Sequence, residues 1–260
     1  MTKVFLLSDL HINYEANWTW LSRLSEHEKD ILIVAGDISQ DFEQIKRCLV
    51  MLCGMFKHVF YTPGNHDVWV KPSEEMDSLT KLDKILEMCK EIGVKTNPEE
   101  IDGLWIVPLF SWFDSTLGEH EKLAHKDIET MKGWSDYLFC KWPQGFDPSE
   151  LHDRNDEFVK SFDDMTESTV ISFSHMLPRR ELLPPRPFLK YKFLPHVMGS
   201  TRLEEQIRQL GSTIHCFGHS HINQELLLDG VRYVQNAMGY PKERETLDTS
   251  PVLKQVWPVF

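Results

Sequence analysis

Short apolar runs alternate along the chain with longer segments whose apolar residues recur every three or four positions. Val4 to Leu7, Ile31 to Ala35, Val59 to Tyr61, Leu104 to Leu109, Thr169 to Phe173 and Thr213 to Phe217 are runs of strand-forming residues. Continuous apolar runs of this length match strands buried on both faces. Between them, Glu15 to Lys29 places Trp18, Leu21 and Leu24 at helical spacing, and Asp41 to Met55 puts Phe42, Ile45, Leu49 and Leu52 on one face. Glu74 to Ile92 and Ser149 to Phe162 carry similar stripes, and Thr201-x-x-Glu204 reads as a capping box opening a helix that Gly211 closes. A hairpin signature surrounds Asp229-Gly230. The strand–helix–strand order predicts right-handed βαβ units and a largely parallel arrangement.

Two stretches depart from this rhythm. From Phe110 to about Pro148 the periodicity fades, and Trp112, Phe113, Trp134, Tyr137, Phe139 and Trp142 are mixed with Asp, His and Lys. Long connections of this kind are often lids or binding loops. A set of small helices packing aromatic residues onto the core fits equally well, so the stretch is read as a lid-like insertion at about 110–148 within one domain spanning 1–260. Pro178 to Pro195, rich in proline and basic residues, is expected to be irregular, and the tail from Tyr240 is polar and proline-punctuated.

The chemistry gathers where strands end. Asp9-Leu10-His11, Gly36-Asp37, Gly64-Asn65-His66-Asp67, His175 and Gly218-His219-Ser220-His221 each follow an apolar run. Parallel strands bring such ends to one edge, so Asp9, His11, Asp37, Asn65, His175, His219 and His221 can meet there. This oxygen and nitrogen set suits Mn, Fe or Zn better than Ca, and without cysteine it is no thiolate zinc site. In Asp9-x-His11 and His219-x-His221 the two side chains point the same way, so each pair can chelate. Seven donors exceed one tetrahedral ion and fit two divalent ions sharing Asp37. Two such ions would clamp a phosphoryl group and lower the pKa of a bridging water, making the hydroxide that attacks phosphorus. His66 is left over to hydrogen-bond the phosphate and protonate the leaving group, with Asp67 or a nearby carbonyl orienting its ring.

Charge narrows the substrate. Twenty-eight Lys and Arg against forty Asp and Glu leave a net charge of −12. That balance argues against gripping a nucleic-acid backbone and for a small phosphorylated metabolite or nucleotide. Five cysteines without C-x-x-C spacing read as reduced thiols. With no apolar run approaching a membrane span and no room for a signal peptide before Val4, a cytoplasmic protein without membrane contact is expected. Arg179 and Arg180, just past His175, are candidates for bidentate contact with a substrate phosphate, with a solvated surface pair as the plainer reading.

Together, D-x-H, G-D, G-N-H-D, H and G-H-x-H resemble the calcineurin-like metallophosphoesterase superfamily, over most of the chain from Asp9 to His221. The resemblance implies a four-layer αββα sandwich, two central mixed β-sheets flanked by helices. It implies one metal held by Asp9, His11, Asp37 and His221 and a second by Asp37, Asn65, His175 and His219, with His66 as the non-ligand catalytic histidine. His175-Met-Leu-Pro-Arg179, Asp229-Gly-Val-Arg-Tyr-Val and Tyr240-Pro-Lys-Glu-Arg244 are similar to a group of small cytosolic plant and protist members. The expected activity is phosphoester hydrolysis, with a phosphodiesterase or nuclease of the same fold as the alternative. A protein serine/threonine phosphatase would be expected to carry G-D-x-x-D-R-G and G-N-H-E. Here the text is Gly36-Asp37-Ile38-Ser39-Gln40-Asp41-Phe42 and Gly64-Asn65-His66-Asp67. A non-catalytic protein-binding scaffold would be expected to have lost ligands, and none is missing.

Overall fold

The structure is a computed structural model that describes residues 2–71, 73–162 and 168–258. The strands are β1 (Val4–Leu7), β2 (His27–Ala35), β3 (Phe56–Thr62), β4 (Glu99–Ile101), β5 (Leu104–Pro108), β6 (Thr169–Phe173), β7 (Ile214–Phe217), β8 (Gln224–Leu228), β9 (Val231–Gln235) and β10 (Lys254–Trp257). They form a four-stranded sheet ordered β10-β1-β2-β3 and a six-stranded sheet ordered β4-β5-β6-β7-β9-β8. Both sheets are mixed: β1-β2-β3 and β5-β6-β7-β9 run parallel, while β10, β4 and β8 pair antiparallel.

Alternation along the strands explains the layering. Val4, Leu6, Ile31, Ile33 and Phe60 of one sheet pack against Ile106, Ile171, Phe173, Ile214 and Val234 of the other. The intervening Phe5, Leu7, Leu32, Val34 and Tyr61 face outward against the helical stripes. Those stripes belong to α1 (Glu15–Leu21), α2 (Phe42–Met55) and α3 (Ser78–Ile92), which contribute Leu21, Ile45, Leu49, Leu52, Ile85 and Met88. Two short helices follow, α4 (His125–Met131) and α5 (Ser135–Phe139). Next come α6 (Asp153–Ser161) and α7 (Thr201–Gln209), which cover the far sheet with Val159, Leu203 and Ile207. The result is the expected four-layer αββα sandwich.

Some boundaries differ from the periodicity. α1 stops at Leu21, and β2 begins at His27 because that ring stacks on Phe56 at 4.9 Å and edges onto Phe5 at 4.7 Å. The cap of α7 is Ser200, whose hydroxyl accepts from the Arg202 N–H at 3.1 Å, so Thr201 is already helical. The tail holds α8 (Pro241–Leu247) and β10, neither of which the pattern reveals. α8 is charged all round with proline at its first position, and β10 has four residues with one fully buried, Val256. Within 110–148, Trp112 and Phe113 are buried beside Trp142, Phe146, Phe193 and Val197.

Candidate metal centre and cavity

Strands β1, β2, β3, β6 and β7 release the chain at one edge, and each release delivers a polar side chain. Asp9, His11, Asp37, His219 and His221 all adopt left-handed backbone conformations, with φ of 52°, 41°, 58°, 70° and 55°. Non-glycine residues rarely do so, and each instance costs roughly 1–2 kcal/mol. Interlocking loops hold them there. The Asp9 and His11 N–H groups donate to the carbonyls of Gly36 and Asp37, both at 3.0 Å, and the His219 N–H donates to Asp9 Oδ1 at 2.9 Å. The glycines permit the approach. A Cβ on Gly64 would lie 2.2 Å from Asp37 Oδ1, and one on Gly36, whose φ is +82°, would lie 2.5 Å from His175 Nδ1.

The donor atoms converge. Nε2 of His11 and Nε2 of His221 are 3.1 Å apart, and Asp9 Oδ1 lies 3.3 Å from His221 Nε2. Two nitrogens each ~2.1 Å from one ion at a near right angle lie ~3 Å apart, so this spacing suits a shared metal. Asp37 Oδ2 lies 3.4 Å from His175 Nε2, 3.9 Å from His66 Nε2 and 4.0 Å from His11 Nε2, while Asn65 Oδ1 is 2.9 Å from His175 Nε2. Asp9, His11 and His221 form one close set of donors, Asp9, Asp37 and His175 another, and His11, Asp37 and His66 a third. His219 lies outside these sets, its ring centre 5.1 Å from that of His175.

Hydrogen bonds select which ring nitrogen faces inward. His175 Nδ1 donates to the Ala35 carbonyl at 2.9 Å, and His221 Nδ1 donates to Glu243 Oε2 at 2.8 Å. His219 Nε2 donates to the Val197 carbonyl at 3.2 Å, leaving its Nδ1 for the site. A carbonyl or carboxylate behind the ring is the usual arrangement of a metal-binding histidine.

Electrostatics completes the test for a cation. Asp9 is 0% exposed and Asp37 1%. Among the described residues their ion-pair partners are histidines, with no lysine or arginine. Burial pushes both carboxyls up, but the His221 charge holds Asp9 down to about 2 and the His175 charge keeps Asp37 well below the usual range. Conversely, burial disfavours imidazolium at His175 and His221, yet the Asp37 and Asp9 charges raise them to about 9 and about 10. His11 and His219, dominated by burial, fall to about 3. Two buried carboxylates that keep their charge, ringed by nitrogen donors, fit divalent metal.

The remaining expected residues part company. His66 faces the same space. Its ring stacks on Trp69 at 3.6 Å and edges onto His11 at 4.8 Å, and burial lowers its pKa. Asp67 does not orient that ring. Its carboxylate accepts the N–H groups of Asp37 and Gly64 (both 2.8 Å), Ile38 (2.8 Å) and Ser39 (3.0 Å), clamping two loops together. Arg179 and Arg180 also lie elsewhere. Arg179 binds Glu181 and Asp229 at 2.6 and 2.7 Å, and Arg180 binds Glu121 at 2.6 Å, in a different cleft. Four carboxylates near them had already claimed these guanidinium groups: Glu204 is the fourth, 3.4 Å from Arg179.

The residues that orient the site were not assigned that role from sequence. Asp136, at 2% exposed, accepts from Asn65 Nδ2 at 2.8 Å, Trp69 Nε1 at 2.7 Å and Trp134 Nε1 at 2.8 Å. It thereby turns the Asn65 carbonyl oxygen inward and sets the indole that His66 stacks on. Tyr240 lies over His11 and His221, with ring centres 4.6 and 4.8 Å away. The donors open onto a cavity of about 400 Å³. Trp69, Trp134, Leu183, Phe188, Leu194 and Met198 supply much of its wall, and Lys190 is its only lysine or arginine among the described residues.

The chain resembles known proteins over most of its length. The sequence profile described as calcineurin-like phosphoesterase matches residues 2–223. The [acyl-carrier-protein] phosphodiesterase PptH of Mycobacterium tuberculosis is 25% identical over 275 residues, covering 98% of this chain and 83% of that protein. An uncharacterized protein of Acanthamoeba polyphaga mimivirus is 21% identical over 265 residues, covering 93% and 92%. The crystal structure of phosphopantetheinyl hydrolase (PptH) from Mycobacterium tuberculosis superposes with a TM-score of 0.84 at 24% identity, over 99% of this chain and 96% of that one. Among the described residues no helix is long and apolar enough to cross a membrane.

Proposed function

Since the chain belongs to the calcineurin-like phosphoesterase family, whose members are metal-dependent hydrolases of phosphoric esters, we propose that its substrate is a phosphodiester with an extended, largely uncharged arm. The carrying observation is the cavity. Beside the metal donors it presents mainly indole and aliphatic walls with Asp136 and Glu243, and among the described residues a single lysine and no arginine. A diester carries one negative charge where a monoester carries up to two. A lining without guanidinium groups therefore suits the diester. The mycobacterial relative is named for a diester on an acyl-carrier protein. A carrier-borne diester is accordingly placed ahead of the small metabolite that the acidic surface suggested.

Asp9, His11, Asp37 and His221 would hold one divalent ion and Asp37, Asn65, His175 and His219 a second, with Asp37 shared. When bound, such ions supply positive charge to the phosphate and an acidified water as nucleophile. The chain's own residues do the rest. Asp9 and Asp37 keep their charge and take the ions up, and Glu243 and the Ala35 carbonyl hold His221 and His175 with Nε2 inward. His66 presents Nε2 to the cavity, where its imidazolium form hydrogen-bonds the departing oxygen and gives it the proton, leaving neutral imidazole. Asp136 and Trp69 hold the ring and Asn65 in place, and the segments 110–148 and 178–195 act as walls that shelter the ester arm from water. Backbone bonds tie the first of these down, from Val70 N–H to the Phe139 carbonyl at 2.9 Å and from Ser78 N–H to the Lys141 carbonyl at 2.7 Å.

The test compares bis-p-nitrophenyl phosphate, p-nitrophenyl phosphate and a phosphopantetheinylated carrier protein, in Mn2+ and after chelation. The expected result is at least a ~10-fold preference in kcat/KM for diesters, about 1.4 kcal/mol, lost on chelation. His66→Ala should lower kcat ~10²–10⁴-fold with metal content unchanged. A preference for the monoester would overturn the diester reading.

A further inference from the structure

Residues 224–258 lie beyond the span that the family profile matches, yet this part of the chain reaches back over the metal donors. Its anchoring is extensive. Met238 and Gly239 donate their N–H groups to the carbonyls of Ser8 and Asp9 at 2.8 and 3.0 Å. Arg244 closes on the carbonyls of Met238 and Gly239 at 2.6 and 2.9 Å and on Asn17 Oδ1 at 2.6 Å. Glu243 Oε2 accepts from both His221 Nδ1 and the Tyr240 N–H, each at 2.8 Å. Tyr240 is thus held from both sides, and its position is tied to that of a metal donor.

Its hydroxyl is directed toward the reacting centre. The phenol oxygen lies 3.5 Å from His66 Nε2, too long for a strong hydrogen bond between them, and both groups line the cavity. An ordinary phenol keeps its proton at neutral pH. Two donors thus stand side by side, facing one space that also adjoins Asp37, Asn65 and His219.

We propose that Tyr240 is a catalytic residue whose O–H donates a hydrogen bond to a non-bridging oxygen of the substrate phosphate, beside the leaving-group contact made by His66. The assignment rests on the reading of this cavity as the phosphodiester site. A hydrogen bond to an ionised oxygen in a sheltered site is stronger than one to water, so its loss reads out in both binding and rate.

Tyr240→Phe is the test, because it keeps the ring over His11 and His221 and removes only the hydroxyl. The expected result is a ~10–100-fold fall in kcat on the diester. The inhibition constant of inorganic phosphate should rise by a similar factor, with metal content by elemental analysis unchanged. The fall should be equal for p-nitrophenyl and alkyl leaving groups, since a non-bridging oxygen does not leave. Wild-type phosphate inhibition and rate in the variant would overturn the assignment. So would a defect that grows with leaving-group pKa, which would put the hydroxyl on the bridging oxygen, or a parallel loss of metal, which would make Tyr240 a support for the donors. Should the wild-type protein prefer monoesters, the diester reading falls while the phosphate-inhibition comparison still decides the role of Tyr240.

Discussion

Asp37 and Asp136 are both carboxylates buried around one cavity, 1% and 2% exposed, and they reach it by different routes. Asp37 sits at the end of β2 in a left-handed conformation beside Gly36, with its Oδ1 accepting the His66 N–H at 2.9 Å. Backbone geometry defines its place. Asp136 sits in α5, five residues long, and three side-chain donors define its place. Their protonation differs in the same sense. Burial pushes both up, but His175 and His66 reverse it at Asp37, while the Trp69 and Asn65 N–H groups only partly offset it at Asp136. Its histidine neighbours suit Asp37 to a cation; the N–H groups of Asn65, Trp69 and Trp134 suit Asp136 to positioning them.

Four substitutions bear on that division. Asp37→Ala should have the largest effect, removing the donor shared by both proposed ion positions. Metal content should collapse and turnover with it, beyond the ~10–100-fold typical of losing an outer partner of a metal ligand. Retained metal and rate would mean that Asp37 is not the shared donor. Asp136→Asn, nearly isosteric, should lower metal affinity or kcat ~10–100-fold with an unchanged circular dichroism spectrum. A variant indistinguishable from wild type in calorimetric Mn2+ titration and in rate would reduce Asp136 to packing. Arg179→Ala and Arg180→Ala should matter least. Each should leave kcat/KM within about twofold and cost roughly 1 kcal/mol or more in urea unfolding, because both guanidinium groups are partly buried in their ion pairs. A KM rise of tenfold or more in either would restore the phosphate contact that the sequence suggested.

The same division explains what could be read from the chain before its structure. Asp9, Asp37 and Gly64-Asn65-His66 stand where an apolar run stops, and glycine is required there by contacts within a few ångströms, so place and chemistry are written together. The strands β1, β2, β3, β6 and β7 were legible for the same reason, being short runs with a sharp polar end. Asp136 has no such punctuation: it follows Trp134-Ser135 in a stretch without period, and its partners Asn65 and Trp69 lie more than sixty residues away. Asp67 misled because adjacency to His66 suggested contact, whereas the tight turn aims its carboxylate back at the Asp37 loop. Tyr240 and Glu243 belong to a segment whose polar composition reads as a tail until β10 is seen beside β1.

That pairing of β10 with β1 has a consequence for biosynthesis. Strand β1 leads into Ser8-Asp9, and its outer neighbour is almost the last part of the described chain to be made. Translation at ~5–20 residues per second separates the two by roughly 10–50 s. Throughout that interval the nascent chain carries Asp9 and His11 without Tyr240, Glu243 or the strand that closes their sheet. A metal arriving before His219 and His221 are made would meet an incomplete donor set, and one arriving before β10 would meet an open sheet edge beside Asp9.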